Sequence, residues 1–428
     1  MDNTYLGLLV FAVAMVTSAA VFPKALVFSR RHGIVDNPNA RKLQRTPVPV
    51  FGGIVVYMGI LVAGAVLSCF LWSKVMISGF IGMSIMMAIG LWDDVKDISA
   101  RLRLLIEIGL VLGFIALTGV YVDDFHGLWG IDRLPDAVAI PLSVLAGVGV
   151  INAVNLIDGV DGYSSGYGMM SCTLFGICFW KVWSPTMVCV TLIVIGALLP
   201  FFMHNVFGQK SRMFIGDSGT LMLGMMMTVC CFYALSSTQA CYMLDDRNMS
   251  LMAFTVAVMC IPVFDTLRVM TLRILRGKSP FRPDKTHLHY LFIDMGFSHL
   301  GAALFILLIN LMVVACWYAS WKLGASIDLQ FYIVVGLGFM VTFGFYKLMK
   351  IQQNGGPLDE EGYPQGTALW HFMRRVGAFS HREKGPIWRL LTKLVDGPLL
   401  GAGKGRPSSA NPASSPARGQ VPGIGITK

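Results

Sequence analysis

The sequence predicts an all-α polytopic membrane protein with about 11 transmembrane helices, and three observations carry that reading. Of its 428 residues, 55% are hydrophobic and only 14% charged, with a mean hydropathy of +0.65. A soluble domain is nearer one-quarter charged, so the composition excludes both an ordinary globular enzyme and a disordered chain. Eleven apolar stretches also approach the ~20 residues that a spanning helix needs. They run over 6–28, 51–71, 75–92, 104–121, 137–154, 163–180, 185–203, 218–236, 249–270, 300–321 and 329–349. The third observation is that charge divides by side.

The first stretch sets the direction. Its leader, Met1 to Tyr5, carries Asp2 and no base, whereas Arg30 and Arg31 follow the apolar run. That pattern is the reverse of a secretory leader and places the N-terminus outside. Alternating spans then put 16 Lys and Arg in the cytoplasmic loops and one in each of the five outer loops (Lys74, Arg133, Lys181, Arg247, Lys322), with Asp123, Asp124, Asp245 and Asp246 outside as well. The net charge of +10 is therefore topological, and no nucleic-acid partner is expected. The nine cysteines lack CxxC spacing and mostly sit in apolar runs, which excludes a disulfide framework or a zinc site.

Two units are expected: a transmembrane domain over 1–350 and a cytoplasmic basic tail over 351–428. In the tail, Asn354 to about Gly366 reads as a linker. Residues 367–400 mix Trp370, Phe372, Trp388 and Leu390 with Arg374, Arg375 and Arg389, as in a helix lying on an anionic membrane face; a loosely ordered basic tail is the alternative. The Gly, Pro and Ser content beyond Gly401 reads as disorder. No chemical motif lies in the tail, so its removal is expected to spare the chemistry.

Four clusters could carry that chemistry, all on the predicted cytoplasmic side. Asp93-Asp94-Val95-Lys96-Asp97 ends the third stretch. Three carboxylates this close repel, and they oppose the helix dipole at a C-terminal end; a solvated end neutralised by Lys96, Arg101 and Arg103 is the plainer account. Asn152-Ala-Val-Asn155-Leu-Ile-Asp158-Gly-Val-Asp161-Gly162 offers amide and carboxylate oxygens suited to Mg²⁺, in a loop without a base; an Asx-rich turn is its alternative. Phe214-Ile-Gly-Asp217-Ser-Gly219 leads into a helix, where Asp217 is either an N-cap or a further ligand to the same metal. The loop from Arg273 to His289, with Arg276, Lys278, Arg282, Lys285 and His287, suits an anionic phosphate. The early loop with Arg41, Lys42 and Arg45 reads the same way, and in both loops positive-inside charge is the alternative. Oxygen ligands for Mg²⁺ beside bases for phosphate, on one membrane face, suggest phosphoryl transfer at the lipid interface.

At these residues the chain resembles the polyprenyl-phosphate N-acetylhexosamine-1-phosphate transferases, and especially the bacterial undecaprenyl-phosphate N-acetylglucosaminyl-1-phosphate branch within glycosyltransferase family 4. RKLQRTPVPVFGG (41–53), DDVKD (93–97), NAVNLIDGVDG (152–162), FIGDSG (214–219), PVFDTLRV (262–269) and GKSPFRPDKTHLHY (277–290) carry the resemblance, in family order across about residues 1–350. It implies Mg²⁺-dependent transfer (Mn²⁺ being a second candidate) of an amino-sugar 1-phosphate from a UDP-sugar to undecaprenyl phosphate, with release of UMP. It further implies Asn155 and Asp217 at the metal and Asp93 and Asp94 as catalytic groups serving the acceptor phosphate. Phe214 would stack on uracil, and Asp158 and Asp161 would shape the nucleotide pocket. Lys42, Asp97, Arg276, His287 and His289 would be substrate-facing. The resemblance places the enzyme in a bacterial inner membrane with its site on the cytoplasmic face, serving cell-envelope or lipopolysaccharide synthesis; a homodimer stays open.

Two departures stand out. Tyr290 follows His289 where the family commonly has another His, and Gln44 stands where a His is common. The lack of a run of consecutive His in HLHY favours the GlcNAc-type branch over the muramoyl-pentapeptide branch. The rival from another class is a transporter with a buried acid relay. Only Glu107 and Asp265 approach mid-membrane depth, and no paired broken spans are evident in the sequence.

Overall fold

The computed structural model describes residues 3–37, 46–96, 98–239, 241, 244, 248–280, 285–354, 368–380 and 385–401. Each of the eleven predicted apolar stretches lies on helix. In chain order come α1 (Asn3–His32), α2 (Gly52–Ser68), α3 (Lys74–Lys96), α4 (Ala100–Thr118), α5 (Asp136–Leu156), α6 (Tyr163–Lys181), α7 (Pro185–Phe207) and α8 (Gly216–Leu235). They are followed by α9 (Leu251–Val258), α10 (Cys260–Leu275), the short α11 (Leu288–Asp294), α12 (His299–Lys322), α13 (Ile327–Phe339) and α14 (Tyr346–Asn354), the last two joined by a π-helical turn. The chain is a multi-pass helical membrane protein. Among the described residues, seven helices have the length and hydropathy to cross a membrane by themselves, or eight if α9 and α10 form one span. α2 has only 17 residues, and α4 carries Arg101, Arg103 and Glu107 in its first half.

Helix α8 is the hub. Every residue from Ser218 to Leu235 is buried, so the helix has no lipid-facing side and needs no amphipathic stripe. It packs against α3, α5 and α2, while α7 joins α1, α2 and α6 into a second layer. Small residues permit the close approach. A Cβ on Gly90 of α3 would lie 2.4 Å from the Asp217 carbonyl oxygen, and one on Gly53 of α2 would lie 2.4 Å from the Gly219 nitrogen. Backbones can approach this closely only where side chains are missing, which is how membrane helices gain packing contacts when lipid is as apolar as they are.

The single stretch at 249–270 is broken instead of continuous. α9 and α10 meet at Met259 with a bend of 71°. Pro262 supplies the cause, because it has no N–H to return to the Val258 carbonyl. Asn310 of α12 repairs the break. Its Oδ1 accepts from Ile261 N at 3.0 Å, and its Nδ2 donates to Ala257 O at 3.3 Å and Val258 O at 3.2 Å. The only strands among the described residues are β1 (Val35–Asp36) and β2 (Val48–Pro49), an antiparallel pair after α1.

The tail contributes α15 (Ala368–Ser380) and α16 (Pro386–Gly401). Trp370 and Met373 are buried, while Phe372, Phe379, Leu390 and Leu394 remain exposed. The expected disorder beyond Gly401 lies outside the described residues.

Asn310→Leu should leave the Ile261 N–H unpaired within an apolar core, while Val258 O keeps the Tyr167 hydroxyl and Ala257 O the Met259 N–H. Unsatisfied groups of this kind cost about 1–3 kcal/mol, so the variant should melt at a lower temperature in detergent. An unchanged melting temperature would show that the bend does not depend on this side chain.

Candidate active site

The ends of α3, α5 and α8 that carry three of the predicted clusters meet at one end of the bundle, together with the ends of α1, α7 and α12. They surround a cavity of about 400 Å³ whose lining includes Asp93, Asp94, Asp158, Asp161, Phe214 and Asp217. Residues separated by more than one hundred positions in sequence thus share one space.

Its floor joins two motifs through backbone. Phe214 N donates to Pro49 O at 2.8 Å, Gly52 N to Phe214 O at 2.9 Å and Gly53 N to Ile215 O at 2.8 Å. The FGG and FIGDSG segments are therefore one structural unit, and Phe214 is held at the cavity's edge. Asp217 is not the N-cap of α8: the cap position is Ile215, which makes no side-chain cap bond, and Asp217 lies in the first turn. The cap comes from another helix. Asp94 of α3 accepts from Asp217 N at 2.9 Å and from Ser218 N at 3.1 Å. This carboxylate meets two of the helix's orphan N–H groups and its positive end. Gly216 makes room for it, with φ +70 and a virtual Cβ only 2.6 Å from Asp94 Oδ2.

Asp217 faces the cavity with its side chain 39% exposed. Asn155 Nδ2 lies 3.3 Å from Asp217 Oδ1, so the two predicted metal ligands do meet. Asp93 accepts from Ile98 N at 2.7 Å and from Arg103 Nη1 at 3.0 Å. The same guanidinium lies 3.6 Å from Glu107 Oε1 and 3.9 Å from Asp217 Oδ2. Glu107 in turn accepts from Asn152 Nδ2. Glu107 therefore belongs to a chain of side chains behind the cavity, not to a mid-membrane relay.

Asp158 is exposed to the cavity and enclosed by protein only on its other sides. Desolvation by those surroundings raises its carboxyl from 3.8 to about 7; the Ser164 hydroxyl opposes this, and the charges of Asp217 and Asp36 add to it. Water in the cavity moderates the effect. Ser164 Oγ donates to Asp158 Oδ1 at 2.7 Å. Asp161 pairs with the Arg212 guanidinium and lies 3.0 Å from His299 Nδ1. Asn205 ties this loop to the next, accepting from Gly162 N at 2.7 Å and donating to Met213 O at 2.9 Å.

The histidine motif is a buried support behind this wall. His287 Nδ1 lies 2.9 Å from Asp265 Oδ2, and Arg268 Nη2 donates to Asp265 Oδ1 at 2.7 Å. His289 stacks with His287 at 5.8 Å and presses on Gly159, where a Cβ would lie 1.9 Å from its Nε2. Burial, with the neighbouring His287 second, lowers His289 to about 3, so it is neutral. Neither histidine lines the cavity, but Tyr290, in the place of the family's further His, does. Arg276 is exposed at the end of α10 and away from the cavity lining. Lys42, Asp97, Arg282 and Asp284 lie outside the described residues. Arg103, named from sequence only as a neutralising base, does pair with Asp93; Asn205, Arg212 and His299 are site residues that sequence reasoning passed over. Only their positions near helix ends, close to the predicted clusters, could have marked them.

The donor chemistry fits a hard divalent cation. Asp217 supplies an exposed carboxylate in the cavity, and Asn155, beside it but outside the cavity lining, turns its amide nitrogen toward that carboxylate, so its oxygen would reach a cation there only after a flip of the amide. Among the described residues no three His, Cys, Asp or Glu side chains form a cage, so phosphate and water oxygens would complete any coordination.

Residues 76–235 match the profile of glycosyl transferase family 4. A decaprenyl-phosphate N-acetylglucosaminephosphotransferase of Mycolicibacterium smegmatis is 32% identical over 310 residues, covering 66% of this chain and 74% of that protein. The chain belongs to glycosyl transferase family 4. Two further relatives agree with the assignment to this family. One is a probable undecaprenyl-phosphate N-acetylglucosaminyl 1-phosphate transferase of Bacillus subtilis, 29% identical over 301 residues, 70% of this chain and 81% of the relative. The other is an undecaprenyl-phosphate alpha-N-acetylglucosaminyl 1-phosphate transferase of Escherichia coli, 27% identical over 274 residues, 63% of this chain and 72% of the relative. The family 4 match covers DDVKD, NAVNLIDGVDG and FIGDSG, the three segments that build the acidic wall.

Because Asp158 holds its proton more tightly when folded, its stabilising contribution is full below about pH 4 and is lost as the pH rises to about 7. Without ligand and with chelator present, the melting temperature should fall over that interval. Asp158→Asn should flatten the slope; an identical slope would remove Asp158 as a source.

Proposed function

We propose that this family 4 enzyme transfers N-acetylglucosamine 1-phosphate from UDP-N-acetylglucosamine to undecaprenyl phosphate, releasing UMP and starting a cell-envelope polysaccharide. The observation that carries this reading is the acidic wall made by Asp93, Asp94, Asp158 and Asp217, with Asn155 beside Asp217, at one end of a membrane bundle. Such a wall suits a divalent cation and a diphosphate, and the end of a bundle is where a lipid-borne phosphate can meet a water-soluble donor.

Asn155 and Asp217 would hold Mg²⁺, or Mn²⁺ in its place. Bound there, the cation supplies charge neutralisation for the diphosphate and the leaving phosphate. The protein's own groups position the reactants. Asp94, with both oxygens engaged by the head of α8, holds Asp217 in place. Arg103, tethered to Asp93, presents a cation beside Asp217 for the acceptor phosphate. Asp93 and Asp94 would serve the acceptor phosphate, one of them taking its proton before attack. An acceptor phosphate oxygen then attacks the donor's β-phosphorus in line. The P–O bond to the α-phosphate breaks, and UMP departs with the electron pair. Phe214, at the cavity edge with the Arg212 guanidinium 5.9 Å from its ring, is placed to stack on uracil. Asp158 and Asp161 shape the nucleotide side.

We further propose eleven crossings, an external N-terminus and a cytoplasmic site in a bacterial inner membrane, with residues 1–350 as the catalytic unit. The common location of the motifs and the basic loops supports this orientation. Cysteines placed at Lys181 and Lys278, in a background lacking the exposed Cys69 and Cys316, should react with an impermeant maleimide from outside and only after permeabilisation, respectively. The reverse pattern would invert the topology.

Membranes given radiolabelled UDP-N-acetylglucosamine, undecaprenyl phosphate and Mg²⁺ should form a labelled lipid and UMP. A panel of UDP-N-acetylhexosamines identifies the sugar, and no labelled lipid from any of them would sink the reading. Asp217→Ala should lower turnover by about 10²-fold or more and raise the Mg²⁺ requirement of what remains; normal kinetics would remove Asp217 from the metal site.

A further inference from the structure

The tail carries no motif, yet its two helices touch the two loops that hold the partners of Asp161. On α16, Asp396 accepts from three successive backbone N–H groups, those of Gln209, Lys210 and Ser211, each at 3.1 Å, and from Ser211 Oγ at 2.7 Å. Consecutive N–H groups converging on one carboxylate form an anion nest, and such a nest fixes the local backbone. The turn is tight from other sides too. His204 Nδ1 lies 2.9 Å from Ser211 Oγ, and Arg30 of α1 donates to Lys210 O. Trp388, also on α16, packs its ring 4.9 Å from Phe207 at the end of α7.

The next residue after this nest is Arg212, whose guanidinium pairs with Asp161 in the cavity wall. On the other side, Ser380 of α15 accepts from Ser298 N at 2.9 Å, and the following residue, His299, is the second partner of Asp161. We propose that Asp396 is a positioning residue for the donor side of the active site, fixing the 208–211 turn from which Arg212 reaches Asp161. The inference rests on the proposed transfer reaction. It gives the tail a share in donor binding, against the expectation that its removal spares the chemistry.

The full-length enzyme tests it. Asp396→Ala should raise the KM for UDP-N-acetylglucosamine about tenfold, the order expected when a binding group is displaced by a fraction of an ångström. The KM for undecaprenyl phosphate should change little. Asp396→Glu, which keeps an acceptor for the nest, should recover most of the loss. In an Arg212→Lys background the effect of Asp396→Ala should shrink, since both changes act through one guanidinium. Unchanged kinetics in Asp396→Ala would overturn the proposal. So would an equal loss in both backgrounds that affects both substrates together, which marks general loosening. Hydrogen exchange at residues 209–212 needs no substrate. Slow exchange in the wild type that becomes fast in Asp396→Ala supports the brace, and fast exchange already in the wild type overturns it. A wild type that transfers no sugar would refute the reaction assignment, and the exchange result would still decide the brace.

Discussion

The site depends on the carboxylate of Asp94 lying across the head of α8. Helix α8 begins at the cavity wall, and its first N–H groups have no partner within the helix. Asp94 meets those of Asp217 and Ser218. In doing so it brings the end of α3 against the start of α8 and turns the Asp217 side chain toward the cavity. Gly90 and Gly216 leave the space this needs. The interaction also explains why an acidic cluster is tolerated at the C-terminal end of α3, where it opposes that helix's own dipole: it serves the positive end of a neighbouring helix.

Around this contact, charge is arranged in layers. Carboxylates face the cavity, and three of them are backed by side chains that keep them in one place: Arg103 behind Asp93, Ser164 behind Asp158, Arg212 and His299 behind Asp161. Farther back, Asp265 gathers Arg268 and His287, and His289 props the Asp158–Gly159 turn. Phosphoryl transfer demands little covalent chemistry from protein and much fixed electrostatics. A wall whose acids are tethered by these partners supplies that field with little reorganisation.

Much of this was legible in the residues themselves. The apolar stretches appear as helices because a backbone without water must satisfy its own hydrogen bonds, and length and hydropathy are enough to show where. The acids were legible because a carboxylate at a membrane edge is expensive and stands out against 55% hydrophobic sequence. Asp217 with Asn155 is a pairing that their oxygen chemistry pointed toward but could not orient, whereas the backbone pairing of Phe214 with the FGG segment had no signal in the sequence. The histidines were read as substrate-facing, but the structure buries them, since a side chain's direction follows from packing and not from its chemistry. Asp265 was weighed as a candidate relay and is an anchor for His287.

The sequence by itself determined the helical membrane architecture and the identity of the acidic groups, because both follow from local rules of length, hydropathy and charge. Only the tertiary structure decided what those groups do to one another. That Asp94 caps a helix begun 122 residues later at Gly216, that Asn310 repairs the bend at Met259, and that Asp396 reaches the turn before Arg212 are long-range pairings. Each is set by which backbone donors or acceptors folding leaves without partners, and no local pattern encodes that count.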